Sequence, residues 1–173
     1  GPVHDEYGKT VAVVALQVPK GPINNIVQKR QGLGKTGETY LAAEQGNRVE
    51  FRSDLQTMGD GRYTIGYDIT DIATEYLHEV FSGNEVIDVF VDSKGNPVAV
   101  GGDPIHITDE LTWAVITKQN LEEALIGNVG KGQEDFFQKY VEAYGYYDLF
   151  LINENGFVYY SAAKESDYRT NMV

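Results

Sequence analysis

The sequence predicts an α+β fold, a small sheet flanked by helices. Two observations carry this. Strand-like runs of β-branched and aromatic residues recur in pairs about glycine turns, at 38–54, 86–100 and 148–163. Between them lie segments whose apolar residues fall at helical spacing, around 23–30, 72–81 and 136–144.

Val11 to Val18 is a valine-rich run stopped by Pro19, and it reads as a buried strand. Pro22 suits the first turn of a helix, Ile23, Ile26, Val27 and Arg30 follow at helical spacing, and Gly32 is placed to cap it. A hairpin follows, turning at Gln45-Gly46-Asn47 into Arg48-Val49-Glu50-Phe51. A Gly- and Asp-rich loop leads to Thr70 and a helix with Ile72, Tyr76, Leu77, Val80 and Phe81 on one face, ended by Gly83-Asn84.

Val86–Val91 and Pro97–Val100 flank a turn at Ser93–Asn96, and Leu111–Thr117 is a further strand. Asn120 and Glu123 have capping-box spacing for a short helix that Gly127 closes. Phe136, Phe137, Tyr140, Val141 and Tyr144 stripe a last helix ended by Gly145. A third hairpin turns about Asn153–Gly156.

The net charge of −12 argues against nucleic acid or anionic lipid as partners, since both need a basic surface. Without cysteine there is no disulfide, thiolate zinc site or thiol nucleophile. No apolar run reaches the roughly 20 residues of a membrane helix, so the chain is expected to be soluble, an excised part if its parent is membrane-anchored.

Gly32, Gly34 and Gly37 match G-x-G-x-x-G, and Lys35-Thr36 suggests a phosphate loop. The phosphate-binding versions follow a strand and open a helix, whereas here a helix precedes and a strand follows. The position five residues before Gly34 is Lys29, where a P-loop requires Gly. A helix-to-strand turn is therefore expected.

His4, His78 and His106 are scattered, and Asp88, Asp92, Asp103 and Asp109 lack the EF-hand spacing, so no metal site or cofactor is expected. No nucleophile-and-base pattern is present, and no catalytic residues are expected. A concave sheet face with aromatic walls is a usual small-ligand site. The candidate ligand-binding residues are Arg52 for a carboxylate, Tyr63 and Trp113 as walls, Asp68 or Asp103 for an ammonium, and Tyr67 beside them. Core packing is the competing role for Trp113.

Gly34-Lys35-Thr36-Gly37-Glu38-Thr39-Tyr40-Leu41 with Arg52-Ser53-Asp54 resembles the membrane-proximal lobe of double Cache (PAS-like) sensor domains. Tyr146-Tyr147-Asp148-Leu149-Phe150-Leu151-Ile152 with Tyr159-Tyr160-Ser161 resembles the opening of their membrane-distal lobe. In that family the distal opening precedes the proximal lobe, and here it follows.

The resemblance implies a PAS-like antiparallel sheet of about five strands flanked by helices, plus a partial second lobe with a long N-terminal helix. The complete lobe would span 33–127. The partial one would comprise 1–20 and 129–173, with strand 11–18 pairing with hairpin 148–163 in the same chain or by exchange with another copy. It further implies a periplasmic or extracellular sensing module of a chemoreceptor, histidine kinase or diguanylate cyclase. Such a module binds a small molecule (amino acid, carboxylate or amine), passes a conformational change onward, and can form a homodimer. The alternative is a structural or dimerisation lobe that binds nothing.

Overall fold

A computed structural model describes residues 1–15, 17, 19–57, 61, 63–108, 111–126 and 135–173. The expectations resting on Leu16, Val18, Asp109 and Gly127 lie outside these residues.

The fold is α+β, built on one five-stranded antiparallel sheet. Its strands are β3 (Glu38–Gln45), β4 (Arg48–Phe51), β5 (Val86–Val91), β6 (Pro97–Thr108) and β7 (Leu111–Asn120), in the order β4-β3-β7-β6-β5. Each pairing is antiparallel, and β3–β4 turns in two residues, Gly46 and Asn47, between the Gln45–Arg48 pair. Gly46 has a positive φ of 62°, the conformation such a turn demands.

Alternation along the strands puts Tyr40, Ala42, Val49, Phe51, Val98, Val100, Ala114 and Ile116 on one face. Helix α2 (Glu75–Phe81) covers that face with Tyr76, Leu77 and Val80. Burying each such side chain contributes about 1.5–3 kcal/mol, so this face anchors the fold. Gly102 lets the helix approach closely. A Cβ there would lie 2.8 Å from Val80 Cγ2 and 2.9 Å from Ile116 Cδ1.

The other elements are smaller. Strands β1 (Pro2–His4) and β2 (Thr10–Val13) pair with each other. Helices α1 (Lys20–Val27) and α3 (Leu121–Ile126) flank the sheet. Helix α4 (Phe136–Tyr144) precedes a separate two-stranded sheet of β8 (Phe150–Ile152) and β9 (Val158–Ser161). Asp135 caps α4 by accepting from the Phe137 amide at 2.9 Å, and also accepts from the Tyr160 hydroxyl, tying α4 to β9. No helix among the described residues is long and apolar enough to cross a membrane.

Several expectations are corrected. Within one chain Thr10–Val13 pairs with Pro2–His4, not with the 148–163 hairpin, and Val11, Val13 and Val14 are exposed instead of buried. No helix among the described residues is longer than the nine residues of Phe136–Tyr144, so the long helix expected for the second lobe is not seen among them.

Helix α1 stops at Val27 with Gln28 as its cap, short of Gly32. Its buried residue is Asn24, while Ile26 is exposed. The cause is polar: the Asn24 amide donates to Asp54 Oδ2 at 2.8 Å, and the Asp54 amide returns a bond to Asn24 Oδ1 at 3.0 Å. Residue 72 lies in a separate 3-10 turn, Thr70–Ile72, and Ile72 is exposed. The Asn120–Glu123 capping box does not form, because the Asn120 amide donates to Thr36 Oγ1 instead.

Candidate functional site

The glycine turn of residues 32–37 feeds β3, a strand, so no helix N-terminus stands behind it. Arg30 braces its carbonyls. Its Nε donates to Gly37 O at 2.8 Å, and its Nη2 donates to the carbonyls of Gly34 and Lys35. The turn's amides are taken by the chain's own carboxylate. Glu123 accepts from the Lys35 amide at 2.6 Å, from the Thr36 amide at 2.7 Å and from the Thr36 hydroxyl. Gly34 takes the left-handed conformation at φ +61° that favours glycine, and a Cβ there would fall 2.4 Å from Glu123 Oε1, displacing that carboxylate. Burial pushes the Glu123 carboxyl up, but the donors from Lys35 and Thr36 outweigh it and leave it below its ordinary value.

This turn forms one wall of a cleft of about 400 Å³. The other walls are Gln56-Thr57, the β5–β6 turn at Asp92, Lys94 and Asn96, and the end of β7 at Lys118 to Asn120. Four cations line it, Arg30, Lys35, Lys94 and Lys118, against one lining carboxylate, Asp92. Elsewhere Lys20, Arg48, Arg52 and Lys164 each sit on a carboxylate. Among the described residues Arg30, Lys35 and Lys94 have no ion pair.

Lys118 is the central group of the cleft. It follows Ala114 and Ile116 on the core-facing positions of β7, so its stem is drawn inward and its side chain is only 13% exposed. Its Nζ lies 3.9 Å from Glu38 Oε1, a long ion pair, and 5.8 Å from the centre of the Tyr40 ring. Glu38 is itself engaged: it accepts from the amides of Gln56 at 3.2 Å and Thr57 at 3.1 Å, and from the Thr57 hydroxyl. An ammonium this enclosed, with its one counterion shared among three other donors, retains the capacity to bind an anion.

Behind Lys118 the sheet face is filled. A void of about 30 Å³ lies among Tyr40, Phe51, Tyr63, Tyr76 and Lys118. That is room for a water and no more. Tyr40 meets Phe51 edge-on at 5.4 Å, Phe51 meets Tyr63 at 6.2 Å, and Tyr63 meets Tyr67 at 4.9 Å. Burial, then the neighbouring Tyr76 hydroxyl, pushes the Tyr40 phenol well up, so it stays neutral.

The six residues selected from sequence do not converge. Tyr63 and Tyr67 belong to the aromatic packing just described. Asp68 is exposed at the sheet edge and accepts from Arg48 at 3.0 Å and from the Thr70 hydroxyl at 2.6 Å. The Thr70 hydroxyl and amide, then Arg48, lower its carboxyl to about 2.

Arg52 alternates away from Phe51, and its need for a partner is met at 2.9 Å by Glu50. Asp103 is exposed on the sheet face opposite the core, paired in register with Val115. Trp113 lies half-buried on that same face, opposite Ala43 and Ile105, with its Nε1 buried and unpartnered.

Sequence reasoning missed Lys118, Lys35, Lys94, Arg30 and Glu123. For Lys118 a signal existed, a lysine at the inward parity of an Ala-x-Ile-x-Lys strand. The others meet only through tertiary structure. No family model matches the chain, and no curated protein matches its sequence.

Proposed function

We propose that the chain is an extracytoplasmic ligand-sensing module of a transmembrane signalling receptor, with the cleft around Lys118 as its binding site. The observation that carries this is the enclosed Lys118 ammonium, 13% exposed and held by a long 3.9 Å ion pair and the Tyr40 ring, facing a polar cleft of about 400 Å³. A site with a few converging polar groups and one buried charge is built to orient a small metabolite. Among the amino acids, carboxylates and amines, the four cations favour ligands carrying a carboxylate. The resemblance of Gly34–Leu41 and Tyr146–Ile152 to sensor lobes supports the receptor context. Binding would shift the population between two arrangements of the sheet and the C-terminal hairpin unit.

A thermal-shift screen of amino acids, di- and tricarboxylates and polyamines tests the reading. A ligand specific to the folded state raises the melting midpoint, with a stabilisation that grows as the logarithm of ligand concentration over Kd. The shift is expected with the wild-type chain and lost in Lys118→Met.

A second reading has its own support. The aromatic sheet face is closed by its own side chains, and Ile87, Val89 and Val91 stand exposed on edge strand β5. Those features suit a structural or dimerisation lobe. A flat screen together with a concentration-dependent dimer would favour it.

A further inference from the structure

The 34–36 turn is an anion-binding device that holds an anion of its own. Two amides and a hydroxyl converge on Glu123, and Arg30 neutralises the carbonyl side of the same turn. Successive backbone N–H groups in a glycine turn are a site for oxyanions generally. Lys35 and Thr36 also line the cleft, so the groups that hold Glu123 border the space a ligand would fill.

Glu123 sits on α3 beside Glu122, whose partners belong to the other unit. Glu122 accepts from Lys164 Nζ at 2.6 Å and from the Tyr168 hydroxyl at 2.5 Å. Adjacent carboxylates on one short helix thus grip the cleft turn on one side and the C-terminal hairpin unit on the other. Leu121, at the root of α3, is buried and fixes the lever at the end of β7.

We propose that Glu123 is a built-in competitor: a small free oxyanion, carboxylate or phosphate, entering the cleft displaces it from the Lys35 and Thr36 amides and so releases α3 from the turn. This rests on the cleft being the ligand site. It adds the route by which occupancy reaches the C-terminal unit. The two anions exclude one another, so ligand binding and the Glu123 contact are linked reciprocally. Because Glu123 is tethered to the end of β7, its effective concentration at the turn is high and wild-type affinity is correspondingly weak.

The test uses the full chain and inorganic phosphate at constant ionic strength, followed by NMR. In the wild type, phosphate is expected to move the Lys35 and Thr36 amide resonances, the Glu123 carboxylate resonance and the Tyr168 ring resonances along one binding curve. Glu123→Gln removes a charged acceptor and is expected to bind phosphate about tenfold tighter or more. Glu44→Gln, an equal change of charge at an exposed site on the far end of β3, is expected to leave the affinity unchanged.

Equal affinity in the wild type and Glu123→Gln overturns the proposal. So does phosphate binding that leaves the Glu123 carboxylate unmoved, or no phosphate binding by Glu123→Gln. Should Glu123→Gln not fold, the wild-type titration decides alone. Phosphate binding with these signatures, but no metabolite stabilising the chain, would sink the sensory reading and leave the competitor intact. Metabolite binding lost in Lys118→Met with a static Glu123 would do the reverse.

Discussion

Replacing Gly34 with alanine perturbs the glycine turn at the point where the structure is most specific. Two costs follow. An alanine at φ +61° costs about 1 kcal/mol, because its Cβ crowds the adjoining carbonyl. The same Cβ would stand 2.4 Å from Glu123 Oε1 and 2.9 Å from Gln119 Nε2. Both are ends of flexible side chains and can swing aside, but Glu123 then leaves the Lys35 and Thr36 donors. Bonds to a charged acceptor contribute about 1.5–3 kcal/mol, and partial exposure brings this to the low end.

The expected loss is about 2.5 kcal/mol in all, or a fall of about 5–10 °C in melting temperature for a chain of this size. Urea denaturation of the four proteins in the cycle of Gly34→Ala with Glu123→Gln separates the parts. In the Glu123→Gln background, Gly34→Ala is expected to cost only the backbone share, about 1 kcal/mol. A cost of 1 kcal/mol or less in the wild-type background, or equal costs in both, would refute the placement of Glu123 in the turn.

Two other outcomes are expected. Gly102→Ala forces a methyl against Val80 and Ile116 in a packed core and should cost about 1–3 kcal/mol by chemical denaturation, without changing the fold's circular dichroism. Stability should also fall in acid. In Asp54, Glu122, Glu123 and Asp148, burial raises the carboxyl, but hydrogen bonds to amides, hydroxyls or lysines outweigh it and leave each below its ordinary value. The unfolded chain therefore binds the more protons. The stabilisation is complete above the ordinary values of 3.8 and 4.5 and is lost as pH falls through the lowered folded-state values, seen as a dropping urea midpoint.

The central sheet was legible because its signals are local. Gly46-Asn47 and Ser93–Asn96 are turns by their chemistry, and the strands around them alternate. Tyr76, Leu77 and Val80 declare the buried face of α2 in the same way. The N-terminal run was misleading because Val11–Val14 has the residue types of a buried strand. Only a three-residue partner meets it, and nothing in the run itself encodes that.

In α1 the apolar spacing pointed to Ile26, but a polar exchange between Asn24 and Asp54, thirty residues apart, chose the buried side. The candidate site was illegible for a like reason. Arg30, Gln56, Lys94 and Lys118 come from four separate segments, and only the strand order brings them to one end of the sheet. Arg52 was chosen for needing a partner, which Glu50 supplies two residues away.

The most direct measurement of the sensing function is isothermal titration of the wild-type chain and Lys118→Met with the metabolite that most stabilises the wild type. Loss of a charged contact should weaken binding by roughly tenfold to a hundredfold, measured at a temperature where both ligand-free proteins are folded, since Lys118→Met also leaves the buried Glu38 without its counterion. Undiminished affinity in Lys118→Met would contradict the account.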